Sequence, residues 1–267
     1  MHPMLTIAVR AARNAGNIIV KGFEQYNAAD AELKSNNDYV TDIDRASENT
    51  IIETLQKSYP DHSFIGEEGG LTAGSDTDHQ WIIDPLDGTR NFINGIPHLA
   101  ISIALKIKGR TEVAVVFNPI SGEMFTANRG GGAQLDGYRI RASKAKDLNG
   151  TLIATGFPFK QKQFTDVYLN IFKAIFVECA DMRRTGSAAL DIAGVAAGRC
   201  DGFWELGLKP WDFAAAELIA QEAGAITTDF KGGHDYLASG NLVVGNPKMV
   251  KALLAKIREH GTESILK

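Results

Sequence analysis

An apolar run that stops on acid constrains this chain more than any other feature. Trp81-Ile82-Ile83 leads straight into Asp84-Pro85-Leu86-Asp87-Gly88-Thr89. The first three residues read as a strand, which then closes on two carboxylates separated by a proline and followed by a glycine and a hydroxyl. Proline fixes φ and removes a backbone donor, while glycine reaches conformations that other residues avoid. Such a chain can turn sharply at a strand end and aim side chains and a free carbonyl at one point. Carboxylates, a backbone carbonyl and water are the ligands a hard divalent cation takes. Taken alone, the same turn also reads as a strand end with solvated aspartates.

Other acids stand in similar settings. Glu67 and Glu68 follow the apolar run Phe64-Ile65-Gly66, and Asp42 and Asp44 come just after Val40. Asp212 lies in Lys209-Pro210-Trp211-Asp212, at the start of an expected helix. One acid near a helix N-terminus is usually a cap or a dipole partner. Several, drawn from separate segments, are harder to explain that way, and if they converge their repulsion calls for cations. Magnesium held by carboxylates normally serves a substrate phosphate. Paired metals then supply an activated water and stabilise the leaving oxygen.

Periodicity places these acids on a framework. Leu5, Ala8, Ala12, Ala15, Ile19 and Phe23 recur at helical steps, and a polar stretch over 27–38 reads as a loop. Asp44 is expected to open a second helix carrying Ile51, Ile52 and Leu55 and ending before Pro60. From 100 to 141 the pattern turns to strands, with Ile101, Ile103, Leu105 and Ile107 alternating with smaller or polar residues. Turn signals at Ser121-Gly122 and Asp136-Gly137 make this block an antiparallel meander. Gly130-Gly131-Gly132 lacks the setting and the Lys-Ser/Thr ending of a phosphate loop, and reads as a turn.

Beyond 143 strand and helix alternate. Helices are expected over 164–177, 187–197 and 210–223, strands over 152–155, 203–206, 226–228 and 242–244, and a last helix after Asn246-Pro247. The expected organisation is two tightly joined halves. Residues 1–142 form an α+β half with an antiparallel sheet and most of the acids, and 143–267 an α/β half with Glu205 and Asp212.

The composition, 44% apolar and 22% charged over 267 residues, allows a sizeable core. A formal net charge of -4 argues against a protein whose main task is gripping nucleic acid, and no direct nucleic-acid site is evident. Cys179 and Cys200 stand alone, which suggests a reducing cytosol and neither a disulfide nor a zinc site. No signal peptide and no apolar stretch of roughly 20 residues is found, so the expected location is cytoplasmic with no membrane partner. His62, His79, His98 and His234 show no metal-ligand spacing with one another, and His98 reads as structural or near a subunit contact. Arg183-Arg184 reads as a surface or ion-pair feature, with an interface role as the second reading, and Trp204 and Trp211 as packing residues.

Gly66-Glu67-Glu68, then Asp84-Pro85-Leu86-Asp87-Gly88-Thr89 with Asn91-Phe92, then Trp211-Asp212-Phe213-Ala214-Ala215 stand in the order found in a known family. Over essentially its whole length the sequence resembles the inositol monophosphatases. That resemblance implies the lithium-sensitive, magnesium-dependent phosphatase fold, a layered αβαβα sandwich of α+β and α/β parts, usually a homodimer. It also implies hydrolysis of myo-inositol 1-phosphate. By position, Glu67, Asp84, the Leu86 carbonyl and Thr89 would bind a first Mg²⁺, and Asp84, Asp87 and Asp212 a second. A third, weaker ion would sit near Glu67 and Asp44.

The resemblance further makes Thr89, Asp44 and Glu67 the catalytic set, with the Thr89 hydroxyl linked to Asp44 and acting on the attacking water. The amides of Gly88 and Thr89 would receive the phosphate. Gly186, Ser187 and Ala188 would line the polyol, and Glu205, together with Asp212, would bind the substrate. Where the family commonly has a second threonine after Asp-Gly-Thr, this chain has Arg90, expected to point outward. A related small phosphate ester, such as fructose 1,6-bisphosphate or a nucleotide 3′-phosphate, is the neighbouring expectation. Some bacterial members imply a second role in ribosomal RNA transcription antitermination, with NusA and RNA polymerase as partners.

Overall fold

The computed structural model describes residues 2–25, 32–35 and 38–266. Helix α1 (Pro3–Gln25) is followed by a small antiparallel pair, β1 (Glu32–Ser35) and β2 (Asp38–Val40), and by α2 (Asp42–Gln56). Strand β1 and the first residue of β2 fall inside the stretch read above as a loop, and the rest of that stretch, 27–31 and 36–37, lies outside the described residues. Asp44 does not open α2. Thr41 caps the helix, accepting from the Ile43 and Asp44 amides, and the Asp44 carboxylate reaches back to the Thr41 amide. This is a capping box with Asp in the place usually taken by Glu or Gln.

An eight-stranded sheet follows. Its members are β3 (Ser63–Gly66), β4 (Gly70–Thr72), β5 (His79–Asp87), β6 (Ala100–Ile107), β7 (Arg110–Phe117), β8 (Met124–Asn128), β9 (Gly132–Leu135) and β10 (Tyr138–Arg139). They lie in the order β10-β9-β8-β7-β6-β5-β3-β4, antiparallel throughout except for the parallel pair β3 and β5. Between β5 and β6 sits the short α3 (Thr89–Ile93). The second sheet has β11 (Leu152–Thr155), β12 (Asp181–Arg183), β13 (Gly202–Glu205), β14 (Ile226–Thr228) and β15 (Leu242–Gly245), in the order β12-β11-β13-β15-β14. Around it run α4 (Thr165–Phe176), α5 (Ala188–Ala196), α6 (Pro210–Glu222), α7 (Tyr236–Ser239), α8 (Pro247–His260) and α9 (Glu263–Leu266).

The period-two pattern explains the layering. Ile101, Ile103 and Leu105 of β6 face α1 and α2, together with Trp81 and Ile83 of β5. The small residues between them, Ala100 and Ala104, face α5 and α6 instead. Both faces are therefore buried, and the alternation is one of size. Each fully buried Ile or Leu contributes roughly 1.5–3 kcal/mol. The second sheet does the same, with Phe203 and Val244 toward α5 and α6 and with Trp204 and Val243 toward α4 and α8. The layers run α1/α2, first sheet, α5/α6, second sheet, α4/α8, an αβαβα sandwich. Among the described residues no helix is long and apolar enough to cross a membrane.

Strand β5 does not stop at Ile83. It continues to Asp87 with a bulge, since Asp84 pairs with Ser102 while Asp87 pairs with Ala100. Proline cannot donate to a ladder, so Pro85 belongs at such an irregularity. The bulge puts both aspartates at the end of a strand held on each side.

Candidate metal centre and active site

Four segments meet where β3 and β5 end. Glu67 follows β3, with its amide donating to the Ile83 carbonyl at 3.1 Å. Asp84 and Asp87 flank the β5 bulge, and Asp212 lies in the first turn of α6. One oxygen each from Glu67, Asp84 and Asp212 lies within 4.8 Å of the others, so these groups could hold a metal ion. Asp84 is 1% exposed, and its Oδ1 accepts from the Leu86 amide at 3.0 Å. That bond steers the bulge and turns the Leu86 carbonyl toward Thr89, whose Oγ1 stands 3.2 Å away.

Asp87 ties the first sheet to α5. Its Oδ2 accepts from Ser187 Oγ at 2.6 Å and from the Ala189 amide at 2.7 Å, at the start of α5. Asn91 adds a second tie, donating to the carbonyls of His98 and Thr185. At α6, the Asp212 carboxylate accepts from the Lys209 amide at 2.6 Å, and Ser102 on β6 donates to the Trp211 carbonyl at 3.1 Å. Gly88, between bulge and helix, has φ +98°, and a Cβ there would lie 3.1 Å from the His98 carbonyl oxygen. Only glycine fits this turn without strain.

The electrostatics match the chemistry of the donors. Burial raises Asp84 well above the usual carboxylate range, and Glu67, Asp87 and Asp212 push it further. Burial lifts Asp87 to about 6 against the hydrogen bonds from Ser187 and Ala189. Asp212 rises to about 7, through burial and then the charge of Asp87. These carboxylates are crowded by one another, and a divalent cation is the partner that relieves them. An all-oxygen, carboxylate-rich set suits Mg²⁺, Mn²⁺ or Ca²⁺ and does not suit a thiophilic ion.

Helix α2 supplies the adjoining pair. Thr89 Oγ1 donates to Asp44 Oδ1 at 3.0 Å, and Asp44 Oδ2 accepts from the amide and hydroxyl of Thr41. Burial raises Asp44 to about 6 despite these donors. Asp42 stays outside the group and pairs with Arg45 at 3.4 Å on the surface.

A cleft opens over this centre. Gly88, Gly186, Ser187, Ala188 and Glu205 line it with the acids Glu67, Asp84, Asp87 and Asp212. Burial raises Glu205 well above its usual value, followed by the charges of Asp191 and Asp212. The Ser187 hydroxyl already donates to Asp87 and accepts from the Leu190 amide.

Sequence reading missed three participants. Asp191 lines the cleft, accepts from Thr185 Oγ1 at 2.6 Å and is raised by burial to about 7. Arg184 also lines it, with its guanidinium 5.3 Å from the centre of the Phe157 ring, whereas Arg183 pairs with Asp181. Lys160 joins from the loop after β11. The signal lay in the helix start Gly186-Ser187-Ala188, which brings Asp191 round on the next turn. Arg90 is exposed as expected, yet it also lines the cleft.

The histidines depart from the reading above. His62, Asp76 and His79 come together at the opposite end of β3 and β5, with one ligand atom each within 4.8 Å of the others. Their separation along the chain conceals this, because parallel strands align their starts across a connection. Trp81 Nε1 donates to His62 Nδ1 at 3.1 Å, and His79 Nδ1 lies 2.7 Å from Asp76 Oδ2. An indole N–H only donates, so the His62 Nδ1 lone pair is taken and the proton sits on Nε2. The two rings stack at 4.5 Å and 13°, and parallel rings do not aim lone pairs at one ion. The Nδ1 of each histidine is already engaged, in His62 by the Trp81 indole and in His79 by Asp76.

A model of the inositol monophosphatase family matches residues 1–263. This chain belongs to that family. A Salmonella typhimurium protein named Nus factor SuhB is 61% identical over 265 residues, covering 99% of each chain. The crystal structure of the extragenic suppressor protein suhB from Bartonella henselae superposes with a TM-score of 0.92 at 40% identity, over 96% of this chain and 98% of that one. An inositol monophosphatase from Anabaena gives 0.87 at 32% identity, over 97% of each. The layered fold is thus that of the family's known structures, and the chain is a phosphatase by family. The family is metal-dependent, and the acid cluster is a group in this chain that could hold the ion.

Proposed function

We propose that this chain is a cytoplasmic Mg²⁺-dependent phosphomonoesterase that hydrolyses myo-inositol 1-phosphate to myo-inositol and phosphate. The observation that carries the reading is the convergence of Glu67, Asp84 and Asp212 beside Asp87, the Leu86 carbonyl and the Thr89–Asp44 pair. Glu67, Asp84, Leu86 and Thr89 would hold one Mg²⁺, and Asp84, Asp87 and Asp212 another. When bound, the ions supply an acidified water and neutralise charge on the phosphate. A third ion near Glu67 and Asp44 has least to draw on, because Asp44 already accepts from Thr41 and Thr89.

Thr89 gives its proton to Asp44, which leaves an oxygen lone pair facing the cleft to take a proton from the attacking water. As the water oxygen bonds to phosphorus, the ester P–O bond breaks, and the departing alkoxide takes a proton from solvent water to leave as the alcohol. Asp44, held near 6, suits a group that takes up a proton at neutral pH. Gly88 and Thr89 would receive the phosphate through their amides. Glu205 would accept hydrogen bonds from ring hydroxyls beside Gly186, Ser187, Ala188 and Asp212. With its hydroxyl committed to Asp87, Ser187 would contribute its backbone.

A panel of phosphate esters at equal Mg²⁺, including fructose 1,6-bisphosphate and a nucleotide 3′-phosphate, tests the substrate. The inositol ester should lead, and a different leader would reassign the cleft. The 61% identity over 265 residues to a protein named Nus factor SuhB supports a second role as a Nus factor, which we read as ribosomal RNA transcription antitermination through NusA and RNA polymerase, with a homodimer as the expected assembly. That role would use an outer surface, so Asp87→Asn should still retain NusA in a pull-down. Retention by neither wild type nor variant removes it.

A further inference from the structure

We propose that Glu48 is a positioning residue for Glu67, fixing the arm of the metal centre that follows β3. The proposal rests on the reading of Glu67 as a metal ligand. Glu48 lies on the inner face of α2 and is 3% exposed. Its Oε2 accepts from the Glu68 amide at 3.0 Å, and its Oε1 from the Gly69 amide at 2.6 Å. One buried carboxylate thus grips two successive amides of the turn that carries Glu67. The glycines of that turn record the grip. A Cβ on Gly66 would lie 2.3 Å from Glu48 Oε2, and one on Gly69 would lie 2.8 Å from Oε1. The carboxylate lies across the backbone where side chains would otherwise be.

Three neighbouring residues of α2 reach three segments of the site. Asp44 accepts from Thr89, Ser47 Oγ donates to the Pro85 carbonyl at 2.9 Å, and Glu48 holds the turn after Glu67. The spacing i, i+3, i+4 puts all three on one face of the helix. Glu67 is therefore fixed from both sides, by its amide on the Ile83 carbonyl and by Glu48 on the two amides that follow. Strand β4, beyond the turn, is exposed along its whole length, so the interior side is where an anchor has to come from. A buried carboxylate beside other carboxylates costs stability. An amide side chain could not replace it, since glutamine offers one acceptor and would turn its own N–H₂ toward the second donor.

The test is Mg²⁺ binding by calorimetry to the metal-free full-length chain, for wild type, Glu48→Gln, Glu67→Gln and the double variant, each with a thermal melt. Loss of a partner that orients a metal ligand typically weakens affinity by about 10- to 100-fold. Glu48→Gln should show a loss of that size, and the double variant should bind no more weakly than Glu67→Gln alone. Turnover of Glu48→Gln should recover at saturating Mg²⁺ with KM unchanged. Wild-type affinity in Glu48→Gln, even with a lower melting temperature, makes Glu48 structural only and overturns the proposal. If Glu48→Gln does not fold, Glu48→Asp and Gly69→Ala disturb the same contact and give the same readout. Unaltered Mg²⁺ binding in Glu67→Gln would instead refute the ligand assignment itself.

Discussion

The parallel pair β3 and β5 carries a cluster of potential ligands at each end, and the two are opposites. At the strand starts, Asp76 and His79 hydrogen-bond each other, and His62 accepts from the Trp81 indole. Backbone and histidine donors hold Asp76 below its usual value, and burial followed by His79 lowers His62 toward the neutral form. At the strand ends, burial raises Asp84, Asp87 and Asp212, and the charges of their acidic neighbours, Glu67 among them, add to the rise. The first cluster is complete without a cation and the second is not. Proximity of ligand atoms is common to both, so what sets the candidate metal centre apart is a group of acids raised by burial and by one another's charge.

Breaking the strand-end cluster should have the largest effect. Asp84→Asn should lower phosphate release by more than about 100-fold, the upper end of what losing even a supporting partner costs. The same variant should melt no lower than wild type without metal, because the charge most crowded by its neighbours is gone. Glu205→Gln should leave kcat for a simple aryl phosphate unchanged and raise KM for the inositol ester by roughly 3- to 10-fold, as expected for one weakened hydrogen bond.

A pH series sharpens the contrast. Asp87 and Asp212 titrate near 6 and 7 in the folded chain and near 4 in the unfolded chain. The folded state therefore binds more protons in that window, and metal-free stability falls as pH rises from about 4 to about 7. Melting should be several degrees higher at pH 5 than at pH 8, since about 1 kcal/mol shifts a chain of this size by ~2–4 °C. Mg²⁺ should restore more at pH 8 than at pH 5. The smallest effect on the site belongs to the other end. His62→Phe leaves the buried Trp81 N–H without an acceptor, at a cost of about 1–3 kcal/mol in denaturant melts, with Mg²⁺ affinity unchanged.

Much of this site was legible because its acids end apolar strands or open helices. Asp84, Asp87 and Asp212 announce themselves by proline and glycine beside them. The αβαβα layering followed from the family motifs more than from periodicity, which could not say which face of β6 meets which helix pair. The interplay of Ala100 and Ala104 with α5 and α6 needed the fold. Glu48 and Ser47 were hidden for a different reason. On a helix that buries Ile51 and Leu55, they read as ordinary polar positions, and their partners lie on other segments. His62 and His79 were hidden by chain separation, and Arg184 by a neighbour, Arg183, that does make the surface ion pair.

The most direct test of the account is one titration of Mg²⁺ into the metal-free chain, read by calorimetry and by phosphate release from myo-inositol 1-phosphate. Turnover absent in chelator and rising with the same midpoint as binding is the predicted result. Turnover that survives chelation, or Mg²⁺ bound with no release from this ester or its relatives, would contradict it and leave the protein-binding role as the chain's principal one.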